Sequence, residues 1–200
     1  MATASTSRAA SAEATRRRLL DAAIARFAAD GLGASFDAVA ADAGATKGAL
    51  YHHFGSKDGL VQAVYQEAVR RHAQRVLELS AEGTGRERLL ELIDASSRLY
   101  TSRTPFYRLL VALHIDAAGT RPQLLGIAER VHRQQRDHMT SLVRAGQADG
   151  SIRADVDAEA VGLTVNAALE GFVLVQHLES AAVQDRLAAK FRRLMEDLLS

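Results

Sequence analysis

The chain has no cysteine, which excludes disulfides and thiolate metal sites and sets aside the disulfide-stapled secreted class. Proline occurs only twice in 200 residues, aromatics make up 5%, and β-branched runs are few, so little interrupts a helix and little favours a strand. An all-α fold is the expectation. No run approaches the roughly 18 uninterrupted apolar residues of a membrane span. The most apolar segment, Ala158 to Leu178, is broken by Glu159, Asn166, Glu170, Gln176 and His177. Residues 1–18 lack the apolar centre of a secretory signal, and Glu13 suits an organellar transit peptide poorly. A flexible basic arm over residues 1–12, no membrane partner and a cytoplasmic location are expected.

Excess charge is also missing. A net charge of +1 is too small for bulk attraction to nucleic acid, so any contact with DNA has to come from local placement. Residues 1–57 carry +2 and the remainder −1, a mild asymmetry in that direction. The length allows one helical domain, or a small domain joined to a larger one.

Leu19, Leu20, Ala23, Ile24 and Phe27 recur at helical steps, and Gly31 follows as a cap, which predicts a first helix over Glu13–Asp30. Ser35 caps a two-turn helix from Phe36, with Asp37 in its first turn and Gly44 closing it. Thr46 caps a third helix over Lys47–Phe54, and Ser56 caps a longer one from Lys57 into the Leu77 region. Gly83-Thr84-Gly85 breaks that helix ahead of one through Leu89, Ile93 and Leu99, while Pro105 and Pro122 start two more. Ala145–Gly150 reads as a turn cluster. Asp155 or Asp157 can then cap a helix to about Leu178, and Ser180 a last one. The count is nine helices with no convincing strand.

Ser35–Phe54 has the requirements of a helix-turn-helix. Ala40 permits close crossing, Gly44 makes the turn, and Val39, Leu50 and Phe54 pin the pair to the first helix. At 100° per residue, Gly48, Ala49 and His52 oppose Leu50 and Phe54, with Tyr51 on the flank. The side that would enter a groove is small and polar.

Leu19-Leu20, Ala22-Ala23, Phe27, Gly31, Val39-Ala40, Ala43-Gly44, Thr46-Lys47-Gly48, Leu50–Phe54 and Ser56-Lys57 together resemble the TetR family over residues 13 to about 60. The resemblance implies that Thr46 caps the recognition helix. Lys47, Gly48 and Ala49 would then approach bases, while Tyr51, His52 and Lys57 contact phosphates; Ser35, at the start of the second helix, is a further candidate. It also implies a DNA-binding segment over 13–57, a ligand-binding and dimerising segment over 58–200, and an operator-binding repressor released by a small molecule. Asp37 would repel DNA unless it accepts from cytosine or caps its own helix. His53 lies toward the core, where packing alone accounts for it. The Arg16–Arg18 run fits phosphate or minor-groove contact as well as a solvated face.

Polar and aromatic residues among apolar ones, Asp116 and His132 included, suggest a pocket for a mostly apolar effector between helices five and eight, with candidates Tyr100, Phe106, Tyr107, His114, Asn166, Glu170 and Phe172. Asn166 and Glu170, one turn apart in an apolar helix, stand out because a buried charge needs a reason. Val183, Leu187, Phe191, Leu194 and Leu198 form an apolar stripe, and Gly162 and Gly171 would let helices approach closely. The resemblance makes this pair of helices a homodimer interface. His114, Asp116, His132 and His138 have no HExxH or other catalytic spacing, so neither an enzyme, a metal nor a cofactor is expected. A regulator that answers to a partner protein, or an architectural DNA-binding factor, stays open, with low net charge against the latter.

Overall fold

The computed structural model describes residues 2–79, 82–102, 104–175 and 178–200; the side chains of 2–9, 101, 173 and 174 are outside the described set. Gln176, His177 and the side chain of Arg8, which entered the sequence reading, therefore lie outside the described residues. Those described fold into nine helices: α1 (Ala2–Asp30), α2 (Phe36–Asp42), α3 (Lys47–Phe54), α4 (Lys57–Leu79), α5 (Gly85–Thr101), α6 (Pro105–Ala118), α7 (Pro122–Asp149), α8 (Ala158–Val175) and α9 (Ala181–Leu199).

Most helix starts carry their own hydrogen-bond acceptors. Ser35 Oγ accepts from the Ala38 amide and Thr46 Oγ1 from that of Ala49, each at 3.2 Å, while Ser56 Oγ accepts from Gly59 at 3.0 Å. Thr84 and Glu87 form a reciprocal capping box, and Asp157 takes the amides of Glu159 and Ala160. Of the two aspartates considered, Asp157 is thus the cap. Ser180 stands at the start of α9 but makes no side-chain capping bond.

Two boundaries differ from the sequence reading. Helix α1 extends back to Ala2 through the segment expected to be an arm, because that stretch is rich in Ala and contains no proline or glycine to stop it. Ala145–Asp149 is helical rather than part of a turn, and only Gly150, at φ +78°, ends α7. Gly146 serves a close crossing instead. A Cβ on Gly85 would lie 2.1 Å from the Gly146 nitrogen, so the start of α5 meets α7 backbone to backbone. Gly162 plays the same part where α8 crosses α7, since a Cβ there would stand 2.3 Å from Thr140 Oγ1. Its smallness serves the inside of the protomer, not a partner.

Burial divides into two cores. The first joins Leu19, Phe27, Val39 and Leu50 of the helix-turn-helix to Leu60, Val64 and Tyr65 of α4, and continues through Leu113 of α6 and Leu124 of α7. It therefore crosses residue 57 without a break. The second packs Leu89 and Ile93 of α5, Leu142 and Val143 of α7, Val165 of α8, and Met195 and Leu199 of α9. Val76 of α4 belongs to this second core, so α4 runs from one to the other.

Gly85→Ala should destabilise the protein by about 2 kcal/mol in urea unfolding, because the nearest atoms are backbone and cannot yield. Gly126→Ala meets only the end of the Arg130 side chain, at 3.6 Å. It should be neutral or stabilising by about 0.5 kcal/mol. Equal effects of the two would contradict the backbone crossing.

Candidate nucleic-acid interface and internal cavity

The reading head is set by a tight turn. Gly44 takes φ +60°, a conformation that L side chains rarely adopt, and the Ala45 amide bonds back to the Ala40 carbonyl at 2.9 Å. Val39 and Leu50 are fully buried, which anchors α2 and α3 on α1. Arg26 clamps the assembly from outside, with Nε and Nη2 each 2.7 Å from the Asp42 carboxylate and Nη1 2.9 Å from Asp30. These bonds hold the Asp42 carboxyl below its ordinary range.

Ser35, Thr46, Lys47, Gly48, Tyr51, His52 and Lys57 are exposed. Ala49 is only half-exposed because it packs against the first core. Tyr51 rests its ring on Phe36 at 5.0 Å, so its hydroxyl is carried on a braced ring. The two lysines both have protein acceptors. Lys47 Nζ stands 2.9 Å from Asp37, and Lys57 Nζ donates to the Gly33 carbonyl at 3.0 Å. Asp37 therefore neither caps α2 nor faces outward alone; it pairs with Lys47 across the two helices. His53 is half-buried, edge-on to His52 and tilted toward Phe54. Of the arginine run, Arg16 lies over the Phe54 ring at 5.3 Å, a cation–π contact that gives this residue a structural task.

Behind the head are two adjoining cavity lobes of about 320 and 180 Å³, which share Val69, His72, Tyr100, Val131, Gln135 and Glu170. The larger is walled by α4, α5, α7 and α8; the smaller adds α6. Helix α4, absent from the expected walls, thus contributes His72 and Val76. Of the residues named from sequence, Tyr100, His114, Asn166 and Glu170 line one lobe or both. Phe106, Tyr107 and Phe172 line neither. Phe106 and Tyr107 stack edge-on in the first core, and Phe172 packs against Phe191 at 5.7 Å in the second.

His72, Gln134, Gln135 and His138 are not among the residues read from the sequence as pocket-lining, whereas His132 is. His132 joins the cavity's polar group through contacts with His114 and Glu170, and the other four line a lobe. His72 is 4% exposed, and burial pushes it down to about 4. Its Nε2 meets the Tyr100 hydroxyl at 3.0 Å, while Nδ1 has no partner among the described residues. Asn166 donates to Glu170 at 2.7 Å, so the two polar residues of α8 do act together.

The expected interface stripe divides in two. Leu187, Leu194 and Leu198 are exposed, at 38, 60 and 42%, and Leu163 of α8 is exposed as well. Phe191 and Val183 are half-buried, and Gly171 has open space around it.

A recognition helix presented in this way, on a helical body with its own cavity, defines a DNA-binding transcriptional regulator of the helix-turn-helix class. Comparison with known proteins is more specific. Residues 19–64 match the model for bacterial regulatory proteins of the tetR family, and residues 85–195 match the tetracyclin repressor-like C-terminal domain. The chain belongs to the TetR family, a family of regulators rather than enzymes. It is 32% identical over 152 residues to the HTH-type transcriptional repressor KstR2 of Mycolicibacterium smegmatis, covering 73% of this chain and 71% of that one. Likeness to the regulator SrpR of Pseudomonas putida is higher, 48%, but is confined to 65 residues, 32% of this chain and 30% of that protein. A TetR regulator from Chloroflexus aurantiacus superimposes with a TM-score of 0.78 at 27% identity, over 92% of this chain and 94% of that one.

The buried, neutral His72 predicts acid sensitivity. Its proton affinity is lower in the folded protein than in the unfolded chain, so stability falls as pH drops from about 6.5 toward 4 and is flat above that window. The loss attributable to His72 is about 3 kcal/mol. Urea unfolding at pH 7 and pH 4.5 should show a smaller difference for His72→Gln than for the parent; an unchanged difference would assign the sensitivity to other groups.

Proposed function

We propose that the protein is a cytoplasmic repressor that binds a palindromic operator as a homodimer and is released when a mostly apolar small molecule enters the two-lobed cavity. Residues 13–57 would read DNA, and 58–200 would sense and dimerise. The observation that carries this reading is the position of the cavity between the two cores, with α4 as a shared wall. That helix begins at Lys57, beside the reading head, and passes His72 and Val76 on the cavity. A molecule that spreads the walls acts on the helix that carries the head.

The chemistry of the walls supports an apolar effector with a few hydrogen-bonding groups. Val69, Val76, Leu92, Val131, Met139 and Leu169 supply apolar surface. His72 Nδ1 and His138 Nε2, buried and without partners among the described residues, would pair with its polar groups. The exposed Leu187, Leu194 and Leu198 support a second copy on α8 and α9, since a row of uncovered leucines on one helix is costly in water. Dimerisation also doubles the few base pairs that one short helix reads.

At the head, a phosphate would replace the Gly33 carbonyl or take one of the two remaining donors of Lys57. Lys57→Ala should weaken binding to all sequences and lower the slope of log affinity against log salt by about one, with operator preference unchanged. Asp37→Asn removes a carboxylate from the interface and frees Lys47. Affinity should rise severalfold, with a steeper salt dependence. Titrations at several salt concentrations on matched and scrambled operators check both, and weaker binding by Asp37→Asn would make the ion pair a positioning contact.

Leu194→Asp should give monomers in light scattering and poor operator affinity; a surviving dimer would place the interface elsewhere. The decisive experiment pairs footprinting with effector titration. Protection should be two-fold symmetric, and hits from a thermal-shift screen should bind free protein more tightly than operator-bound protein by the same factor that they weaken operator binding. A tenfold effect corresponds to about 1.4 kcal/mol of coupling. Hits that bind both forms equally would remove the induction step and leave DNA binding in place.

A further inference from the structure

On one wall of the cavity three helices bring together side chains that the regulator's DNA chemistry does not use. His114 of α6, His132 of α7 and Glu170 of α8 place one donor atom each within 4.8 Å of the others. We propose that these three residues form a binding site for a divalent transition-metal ion, with Zn²⁺ the best match to the donor set.

The orientation of each group supports this. Tyr65 is fully buried, and its hydroxyl stands 2.9 Å from His114 Nδ1, which fixes that ring and turns Nε2 toward His132. The two Nε2 atoms are 2.7 Å apart. Two nitrogens at this distance share a proton in an N–H···N hydrogen bond, and a metal ion bound here would take that proton's place. On the other side of its ring, His132 Nδ1 contacts Glu170, whose carboxylate is steadied by Asn166 at 2.7 Å, so the His132 ring or the Glu170 carboxylate has to turn to bring all three donors to one ion. Outer hydrogen bonds of this kind hold metal-binding histidines and carboxylates in orientation.

Charge points the same way. Glu170 lines both lobes of an otherwise mainly apolar cavity, and its one ion-pair partner among the described residues is His132, with no lysine or arginine. A divalent ion would supply the missing positive charge. Around a tetrahedral ion with bonds of about 2.0–2.1 Å, neighbouring donors stand roughly 3.3 Å apart, so the imidazole pair has to open by about 0.6 Å and the Glu170 carboxylate has to come to the same distance from both.

Two neutral imidazoles and one carboxylate, with no thiolate, suit Zn²⁺, Ni²⁺ or Cu²⁺ over Mg²⁺ or Ca²⁺, which take mainly oxygen. Three protein ligands leave a coordination position free. Because His114 and Glu170 line the smaller lobe, that position is available to an oxygen or nitrogen donor of a molecule held there. The site goes beyond the induction reading and does not need operator DNA.

Tag-free protein, stripped with a chelator and dialysed, should be titrated with Zn²⁺ at pH 7.5 in competition with a chromophoric chelator. One ion should bind per chain, while Mg²⁺ does not compete. His114→Ala and His132→Asn should each weaken binding at least about 100-fold, and Glu170→Gln about 10-fold or more, with helix content checked by circular dichroism. If His114→Ala fails to fold, His132→Asn and the isosteric Glu170→Gln keep the test. Absence of binding overturns the proposal. So does binding that survives His132→Asn and Glu170→Gln, which would place the ion on surface histidines such as His52 and His53. Since no operator is present, failure here and failure of the repressor reading are separate results.

Discussion

Helix α4 has to satisfy two cores at once, and the rest of the molecule is arranged around that requirement. From Leu60 to Ala68 it is buried against the helix-turn-helix, α6 and the start of α7; at Val76 it enters the core built on α5, α7, α8 and α9. His72, between these stretches, faces the cavity. Ion pairs fix its position at several levels. Arg71 bridges Asp21 of α1 and Glu67 of its own helix, and the Arg70 and Arg71 guanidiniums hold the Glu67 carboxyl down to about 2. Near the N-terminus Asp58 meets Arg121 at 3.1 Å, and Arg121 also holds Asp116. A close-packed helix tied in this way cannot bend gradually at low cost; it moves as a unit between packed arrangements.

Where the movement goes follows from the glycines. At the far end of the body, α5 and α8 both cross α7 at backbone distance, at Gly85 with Gly146 and at Gly162 with Thr140. The Thr140 hydroxyl fills the space at Gly162 and the Ile152 side chain that at Gly146, so both crossings are tight. The cavity is lined by side chains from α4, α5, α7 and α8 in the larger lobe and from α6 as well in the smaller. On the induction reading proposed above, expansion of the lobes would be taken up toward α4 and α6, which both belong to the core that includes the head, because the crossings of α5 and α8 on α7 leave little room to give. The polar cluster of His114, His132 and Glu170 joins α6, α7 and α8, so a change in its bonding would act on all three helices.

What was legible in the sequence was what short-range chemistry dictates. Caps at Ser35, Thr46, Ser56 and Asp157 and the turn at Gly44 depend on neighbours in the chain, and the helix-turn-helix is built almost wholly from such signals. The cavity is not. Tyr107 and Phe172 carry the same local pattern as Tyr100, and only tertiary packing assigns two of them to cores and the third to a wall. His72 sits among charged residues of α4, where its sequence context suggests a solvated face, yet it is 4% exposed because α5 and α6 bring Tyr100 and Tyr107 over it. Gly162 could be read as small without revealing for whom. The pairing of Asp37 with Lys47 depends on the angle between two helices, which composition does not encode.

That pairing bears on how a chain with a net charge of +1 handles DNA. Both lysines of the head already have acceptors, so on the proposed reading contact of Lys47 with DNA would be an exchange of partners, while Lys57 keeps donors to spare. The Lys47–Asp37 pair is exposed on both sides, and pairs of that kind contribute about 0–1 kcal/mol, so the exchange is cheap when a better acceptor is correctly placed. It is less favourable when the acceptor is misplaced, because Asp37 then remains at the interface as an unpaired negative charge. A backbone phosphate alone gains little from Lys47 under those terms, whereas a base edge that engages Lys47, beside a donor that accepts no repulsion from Asp37, gains more. On the proposed reading the carboxylate would lower affinity for DNA in general more than for a fitting site, a way for a weakly charged surface to discriminate.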